Sequence, residues 1–354
     1  MSVTTPKGFT AAGVTAGIKA SGRPDLALVV NNGPDAHAAA VFTSNAFKAA
    51  PVLWSRDAVA DGRLAAVVLN SGGANACTGR AGLADARQMA EWTAEAIGAD
   101  VTDVAVCSTG LIGVRLPMDR VLAGIELATQ DLSDEGGPAA AEAIMTTDTV
   151  PKTAEYHSPH HWAIGGMAKG AGMLAPALAT MLVVITTDAV VAADELASAL
   201  TTATSFTFDR TDSDGCMSTN DTVMLLASGA SGEAADPEEF TEALTGVCHS
   251  LAMQLLADSE GSSHDIEVTV AGAASEADAL AVARAIARSN LFKCAVFGND
   301  PNWGRVLAAA GTVAAEFDPD HVDVSFNGIG VFVDGQLGAD RGRRKQLGIG
   351  LVLA

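Results

Sequence analysis

Short runs rich in Val, Ile, Leu and Ala, each about one strand long, alternate along this chain with longer segments whose apolar residues recur at helical spacing. No other feature constrains the fold as tightly. Residues 26–30, 39–43, 64–69, 101–107, 181–186, 223–227, 266–271 and 321–326 are the predicted strands. Residues 84–97, 116–129, 194–203, 240–256 and 276–289 are the predicted helices, and in the fourth of these Phe240, Leu244, Val247, Leu251 and Leu255 share one face. Intermixed strands and helices imply a layered α/β architecture. At 354 residues the chain has room for about two domains. The charged, Gly- and Pro-containing stretch at 130–141 is the predicted linker.

The formal charge of −21 argues against a polyanionic partner, so nucleic acid and anionic membrane surfaces are disfavoured. Most of that charge lies in the second half, where Arg341, Arg343, Arg344 and Lys345 form a local basic exception. Cys77, Cys107, Cys216, Cys248 and Cys294 are odd in number and widely spaced, which supports neither a disulfide framework nor a zinc ribbon and fits a reducing compartment. The longest apolar stretch, 174–185, contains Pro176 and is well short of the roughly 20 residues that span a bilayer. With no signal-peptide pattern at the N-terminus, a soluble, cytoplasmic protein is expected.

Several chemistries are excluded by missing signatures: no nucleophile elbow, P-loop, zincin helix or dinucleotide-binding glycine set occurs. His157, His160 and His161 lack a neighbouring Cys or carboxylate pair and read as a solvated loop, so no metal is expected. The informative segment is 165–189, GGMAKGAGMLAPALATMLVVITTDA, in which a Gly-punctuated apolar loop carrying Lys169 leads through Ala179 to Thr180 and then to a β-branched run. Small residues before a hydroxyl at the head of a buried strand allow close backbone approach and suit a rigidly held nucleophile. Scission of the Ala179–Thr180 bond would give Thr180 a free α-amine, which titrates at about 8 in model peptides and can act as base for its own hydroxyl. An ordinary Thr at the start of a core strand satisfies the same pattern.

The segment resembles the cleavage region of the glutamate N-acetyltransferase family, also called ornithine acetyltransferase, in which Lys-Gly-x-Gly-Met precedes Ala-Thr-Met-Leu. GFTAAGVTAGIK at 8–19, NSGGANACTG at 70–79, CSTGLIG at 107–113, IMTTDTVPK at 144–152, FDRTDSDGCMSTNDT at 208–222 and FGNDPNWGRV at 297–306 resemble that family in the same order, from about residue 8 to about 330. The resemblance implies a layered α/β sandwich of the DmpA/ArgJ-like type, self-cleaved into two intertwined chains, 1–179 and 180–354. It also implies a heterotetramer of two α and two β chains.

It further implies a ping-pong acetyl transfer from N-acetylornithine to glutamate through an acetyl-threonyl enzyme, with Thr180 as nucleophile and Thr109 and Gly110 as the oxyanion pair. No cofactor is implied, and use of acetyl-CoA as a second donor is left open. Lys169 matches the family's substrate lysine and would hold an α-carboxylate. Glu260 matches its substrate glutamate, with an ornithine amine as partner, although Ser262, Ser263 and His264 depart from the residues that usually follow. The substrate-contacting threonine is assigned to Thr146 rather than Thr147, with a helix-capping role as the alternative.

After about residue 335 the chain departs from the family. Its end, RGRRKQLGIGLVLA, offers no counterpart to a substrate-contacting Asn or a terminal Thr or Ser, and loss of a closing strand and two substrate contacts is expected either to weaken binding, to leave a sheet edge unpaired, or to abolish turnover while sparing self-cleavage. Two other readings stand beside acetyl transfer: a self-processing amidohydrolase or aminopeptidase using the same Thr180, and a catalytically silent remnant.

Overall fold

The computed structural model describes residues 2–173, 181–338 and 347–353. In chain order the elements are β1 (Phe9–Val14), β2 (Leu26–Asn31), β3 (His37–Phe42), α1 (Ala50–Ala58), β4 (Ala66–Asn70), α2 (Gly79–Ile97), β5 (Val104–Ser108), α3 (Met118–Gln130), α4 (Gly137–Ala143), β6 (Lys152–His157), β7 (Ala163–Lys169), β8 (Leu182–Thr187), α5 (Ala193–Phe206), β9 (Thr222–Ala227) and α6 (Pro237–Ala257). These lie in a first compact unit, residues 1–211 and 216–260.

Its strands form a four-stranded sheet, β1-β2-β4-β5, and a five-stranded sheet, β3-β9-β8-β7-β6. Period-two alternation decides what each covers. Leu182, Val184, Met224 and Leu226 of one sheet and Val67, Leu69 and Cys107 of the other share a core between the sheets. The intervening Val183, Ile185, Val223 and Leu225 point the other way, into a core closed by Leu196 and Leu200 of α5 and Leu244 and Leu251 of α6. On the far side, Leu28, Val68 and Val106 pack against Met89 and Ala90 of α2 and Val121 and Ile125 of α3. The order is helix, sheet, sheet, helix, so the layered α/β expectation is borne out. Strands buried on both faces must be apolar at every position, which is why they read as continuous runs rather than alternating ones.

The predicted linker is instead a packed corner of this unit. Ala11 and Ser133 exchange backbone hydrogen bonds at 2.9 and 3.1 Å. Gly136 lies so near the Ala11 carbonyl that a Cβ there would come within 1.7 Å of its oxygen. Gly and Pro mark this stretch because backbones pack closely there, not because it joins domains.

The second unit, residues 212–215 and 261–354, holds β10 (Ile266–Ala271), α7 (Glu276–Arg288), α8 (Asn290–Phe297), α9 (Trp303–Ala310), β11 (Val322–Phe326), β12 (Ile329–Val333), β13 (Gln336–Leu337) and β14 (Leu347–Leu353). Its sheet runs β10-β14-β11-β12-β13, with Val282, Ile286, Phe292, Val306 and Val324 in its core. Here the expectation for the C-terminus is corrected. Residues 347–353 form a strand in the interior of the sheet, parallel to β10 from Ile266↔Leu347 and antiparallel to β11 from Val322↔Leu353. The departing sequence keeps a strand-compatible LGIGLVL, and that suffices for ladder pairing on both sides. The basic residues at 341–345 lie outside the described residues.

Candidate active site

β5 and β7 deliver the first two site elements. Thr109, the residue after β5, is buried, and its amide donates to the Asn70 carbonyl at 2.9 Å. Gly110 follows at φ +133°, and a Cβ on it would stand 2.7 Å from the Gly73 nitrogen, so only glycine fits this turn. The surrounding loop is clamped by buried amides. Asn70 Nδ2 donates to the Gly73 carbonyl at 3.0 Å, and Asn220 Nδ2 donates to the carbonyls of Ala74 at 2.6 Å and Ser108 at 2.8 Å.

Lys169 is the last residue of β7, not part of a loop. Gly165 and Gly166, which read as loop residues, are strand positions where other groups pack close: a Cβ on Gly165 would reach within 2.0 Å of the Ser2 carbonyl oxygen. The Lys169 side chain is 1% exposed and its Nζ donates to Thr109 Oγ1 at 3.3 Å. Burial pushes its pKa down to about 8, with Lys152 adding to the shift and Asp148, Asp221 and Glu260 opposing it.

Thr146 lies in the turn between α4 and β6. Its amide donates to Asp148 Oδ2 at 2.8 Å and no helix follows it, which removes the helix-cap alternative. The buried Asp148 also accepts from the Gly170 amide at 2.6 Å and from Lys152 Nζ at 2.7 Å. Burial works to raise the Asp148 carboxyl, but the Lys169 charge and the bonds from Lys152, Thr146 and Gly170 hold it down to about 2. Lys152 is fully buried and also pairs with Asp258 at 2.6 Å. Lys19, pushed down to about 8 by burial, donates to the Pro24 and Met145 carbonyls.

Glu260 follows α6. Its amide donates to the Ala171 carbonyl at 2.6 Å, and its carboxyl carbon lies 3.3 Å from where a Cβ on Gly172 would stand. Ala179 and Thr180 lie outside the described residues, but Met181, next in the chain, donates its amide to Asp221 Oδ1 at 3.0 Å. Asp221 is fully buried, its Oδ2 has no hydrogen-bond partner among the described residues, and burial pushes its carboxyl well above the carboxylate range.

Thr109, Gly110 and Lys169 are thus brought together directly, Thr146 joins them through Asp148, and Glu260 stands beside the segment that continues from Lys169. Asp148, Lys152, Asp221, Asn70, Asn220 and Lys19 are supporting residues that reading the sequence did not single out. Each falls inside a stretch that carries the family resemblance, yet nothing in linear spacing reveals partners such as Asp148 and Gly170. Among the described residues no group of His, Cys, Asp and Glu is placed to hold a metal, and no helix is long and apolar enough to cross a membrane.

A sequence model described as the ArgJ family matches residues 10–348. The chain belongs to the ArgJ family. The arginine biosynthesis bifunctional protein ArgJ of Streptomyces coelicolor is 60% identical over 341 residues, spanning 96% of this chain and 89% of that protein. The protein of the same name from Thermobifida fusca is 58% identical over 343 residues, 97% of this chain and 89% of its own length. A solved ornithine acetyltransferase from Mycobacterium tuberculosis, complexed with ornithine, is 56% identical, with 51% of this chain and 96% of that chain covered and a TM-score of 0.49. The ArgJ match runs to residue 348, past the point where the tail departs from the expected pattern and into β14.

Proposed function

We propose that this protein transfers the acetyl group of N-acetyl-L-ornithine to L-glutamate through an acetyl ester on Thr180, with Ala179–Thr180 scission creating the nucleophile. The reading is carried by near-complete, 60% identical alignment to a protein named for arginine biosynthesis and for two functions. A buried lysine set on a threonine–glycine turn, as such a site requires, supports it.

In the processing step Thr180 Oγ attacks the Ala179 carbonyl carbon, the amide becomes an ester, and water cleaves the ester to leave chains 1–179 and 180–354. In the transfer step the Thr180 amine takes the hydroxyl proton as Oγ attacks the acetyl carbon. The oxyanion is received by the Thr109 hydroxyl and the Gly110 amide, each such donor commonly contributing about 3 kcal/mol. The C–N bond breaks and ornithine leaves with that proton; glutamate's amine then attacks the ester and Thr180 recovers its hydroxyl. Lys169 binds the substrate α-carboxylate, Glu260 the ornithine side-chain amine, and Thr146 lines the same pocket. The reaction needs no cofactor, and acetyl-CoA is a candidate second donor. The processed chains assemble as two α and two β chains, in the cytoplasm, where five free cysteines are at home.

Intact mass spectrometry of the wild type beside Thr180→Ala, with ornithine release from N-acetylornithine measured with and without glutamate, tests the reading. Two fragments in the wild type, one chain in the variant and glutamate-dependent release are expected. Release that ignores glutamate would mark a hydrolase, and an uncut, inactive wild type a silent remnant.

A further inference from the structure

Four donors converge on the buried carboxylate of Asp148, the weakest being the Thr146 hydroxyl at 3.4 Å from Oδ2. The Thr146 amide reaches Oδ2 at 2.8 Å, while the Gly170 amide at 2.6 Å and Lys152 Nζ at 2.7 Å reach Oδ1. A carboxylate removed from water requires such donors, and an ion pair with Lys152 would satisfy one oxygen. Lys152, however, already holds a second carboxylate, Asp258, at 2.6 Å. The two backbone bonds of Asp148 therefore do something that pairing with Lys152 does not. One fixes the turn that carries Thr146; the other fixes the residue directly after Lys169. The same turn is held from its carbonyl side, where Lys19 Nζ bonds the Met145 oxygen at 2.6 Å and Arg23 bonds the Thr146 oxygen at 2.9 Å.

We propose that Asp148 is the positioning residue of this site, fastening the Thr146 turn and the Lys169 end of β7 to one carboxylate so that both meet the same bound substrate. The proposal rests on the acetyl-transfer reading above. The charge of Asp148 has a second consequence. Lys169 is faced by Asp148, Lys152, Asp221 and Glu260, with Lys19 nearby, and Asp148 is the leading group that opposes its loss of charge on burial. Without that negative charge Lys169 gives up its proton at a lower pH, and its grip on an α-carboxylate weakens over the neutral range.

The test is Asp148→Asn in the full chain, with KM and kcat for N-acetylornithine measured from about pH 6 to 9 and ornithine binding measured by calorimetry. Asn retains the shape but neither the charge nor the second accepting oxygen. KM is expected to rise about ten-fold or more, and the alkaline limb of 1/KM to move down by about one pH unit. Asp148→Asn combined with Lys152→Met removes the cation that the single change would strand. If the single variant fails to fold, the double variant must show the same rise in KM with a smaller displacement of the limb, because loss of the Lys152 charge relieves part of the Lys169 shift. Asp258→Asn is the control, because Asp258 bonds Lys152 and Thr149 but neither Thr146 nor Gly170. Wild-type KM and pH limb in the Asp148 variants, or an equal displacement in Asp258→Asn, overturns the proposal. A wild type that binds ornithine through Asp148 yet transfers no acetyl group sinks the reaction reading alone; one that does neither sinks both.

Discussion

Lys169 Nζ sits 3.3 Å from Thr109 Oγ1, and both side chains are buried. An ammonium has no lone pair, so it must donate to the hydroxyl oxygen, leaving the Thr109 proton free to point elsewhere. In the proposed reaction the lysine therefore both attracts a carboxylate and orients an oxyanion donor.

Replacing Lys169 with Met should accordingly raise KM for N-acetylornithine and lower kcat, whereas a lysine that only bound substrate would move KM alone. Steady-state kinetics separates the two. Arg is no substitute, since its planar fork does not fit a site built around a point charge.

The same lysine has opposite effects on binding and stability as pH rises. Its pKa in the fold, about 8, lies below the ordinary 10.5, so carboxylate affinity present below pH 8 fades above it. Between those two values the unfolded chain binds more protons than the folded one, and stability rises with pH. Lys19, also at about 8, adds to that rise. Denaturant unfolding from about pH 7.5 to 10.5 should show the gain, and Lys169→Met should remove part of it.

Gly110→Ala should cut kcat by about a hundred-fold or more by displacing an oxyanion donor. A methyl at φ +133°, 2.7 Å from the Gly73 nitrogen, forces the turn to move. Thr109→Ser should keep most activity and Thr109→Val should lose it, because only the hydroxyl is at issue. Retained turnover in Gly110→Ala would contradict this placement.

Asp221 holds the amide of Met181, the residue that follows the proposed nucleophile Thr180. Burial raises its carboxyl, so above the ordinary carboxyl value the fold loses stability with rising pH until the raised pKa is passed. Asp221→Asn removes that cost and should unfold no earlier than wild type at neutral pH. Asp221→Ala strands the Met181 amide, should lose about 1–3 kcal/mol, and should slow the appearance of the two chains on a denaturing gel.

Deleting residues 347–354 should damage the second unit far more than trimming an edge would. β14 lies between β10 and β11, so its loss leaves β10 without a partner and β11 paired with β12 alone. Limited proteolysis of the truncated chain should cut within 261–338 at protease levels that spare the full chain.

How far sequence reading reached depends on the range of the interaction concerned. β10 was legible to the residue and β2, β9 and α7 to within one at each end, because apolar period and flanking turns are local signals. β7 was hidden by Gly165 and Gly166, whose small size answers to Ser2 and to α6 rather than to their own neighbours. The tail departs from the family's motifs, yet 347–353 still form a strand, because backbone pairing asks only for extended, apolar residues.

The layered α/β class, the family and the residue types that the proposed chemistry needs are written in the linear order of the chain, since apolar period and ordered short motifs are properties of neighbouring positions. Folding in three dimensions is what sets Lys169 at the end of a buried strand beside Thr109, joins Thr146 to Gly170 through Asp148, and puts the strand at 347–353 inside its sheet. Those facts depend on groups tens or hundreds of residues apart meeting within 3 to 4 Å, where desolvation and hydrogen bonding act and linear order carries no information.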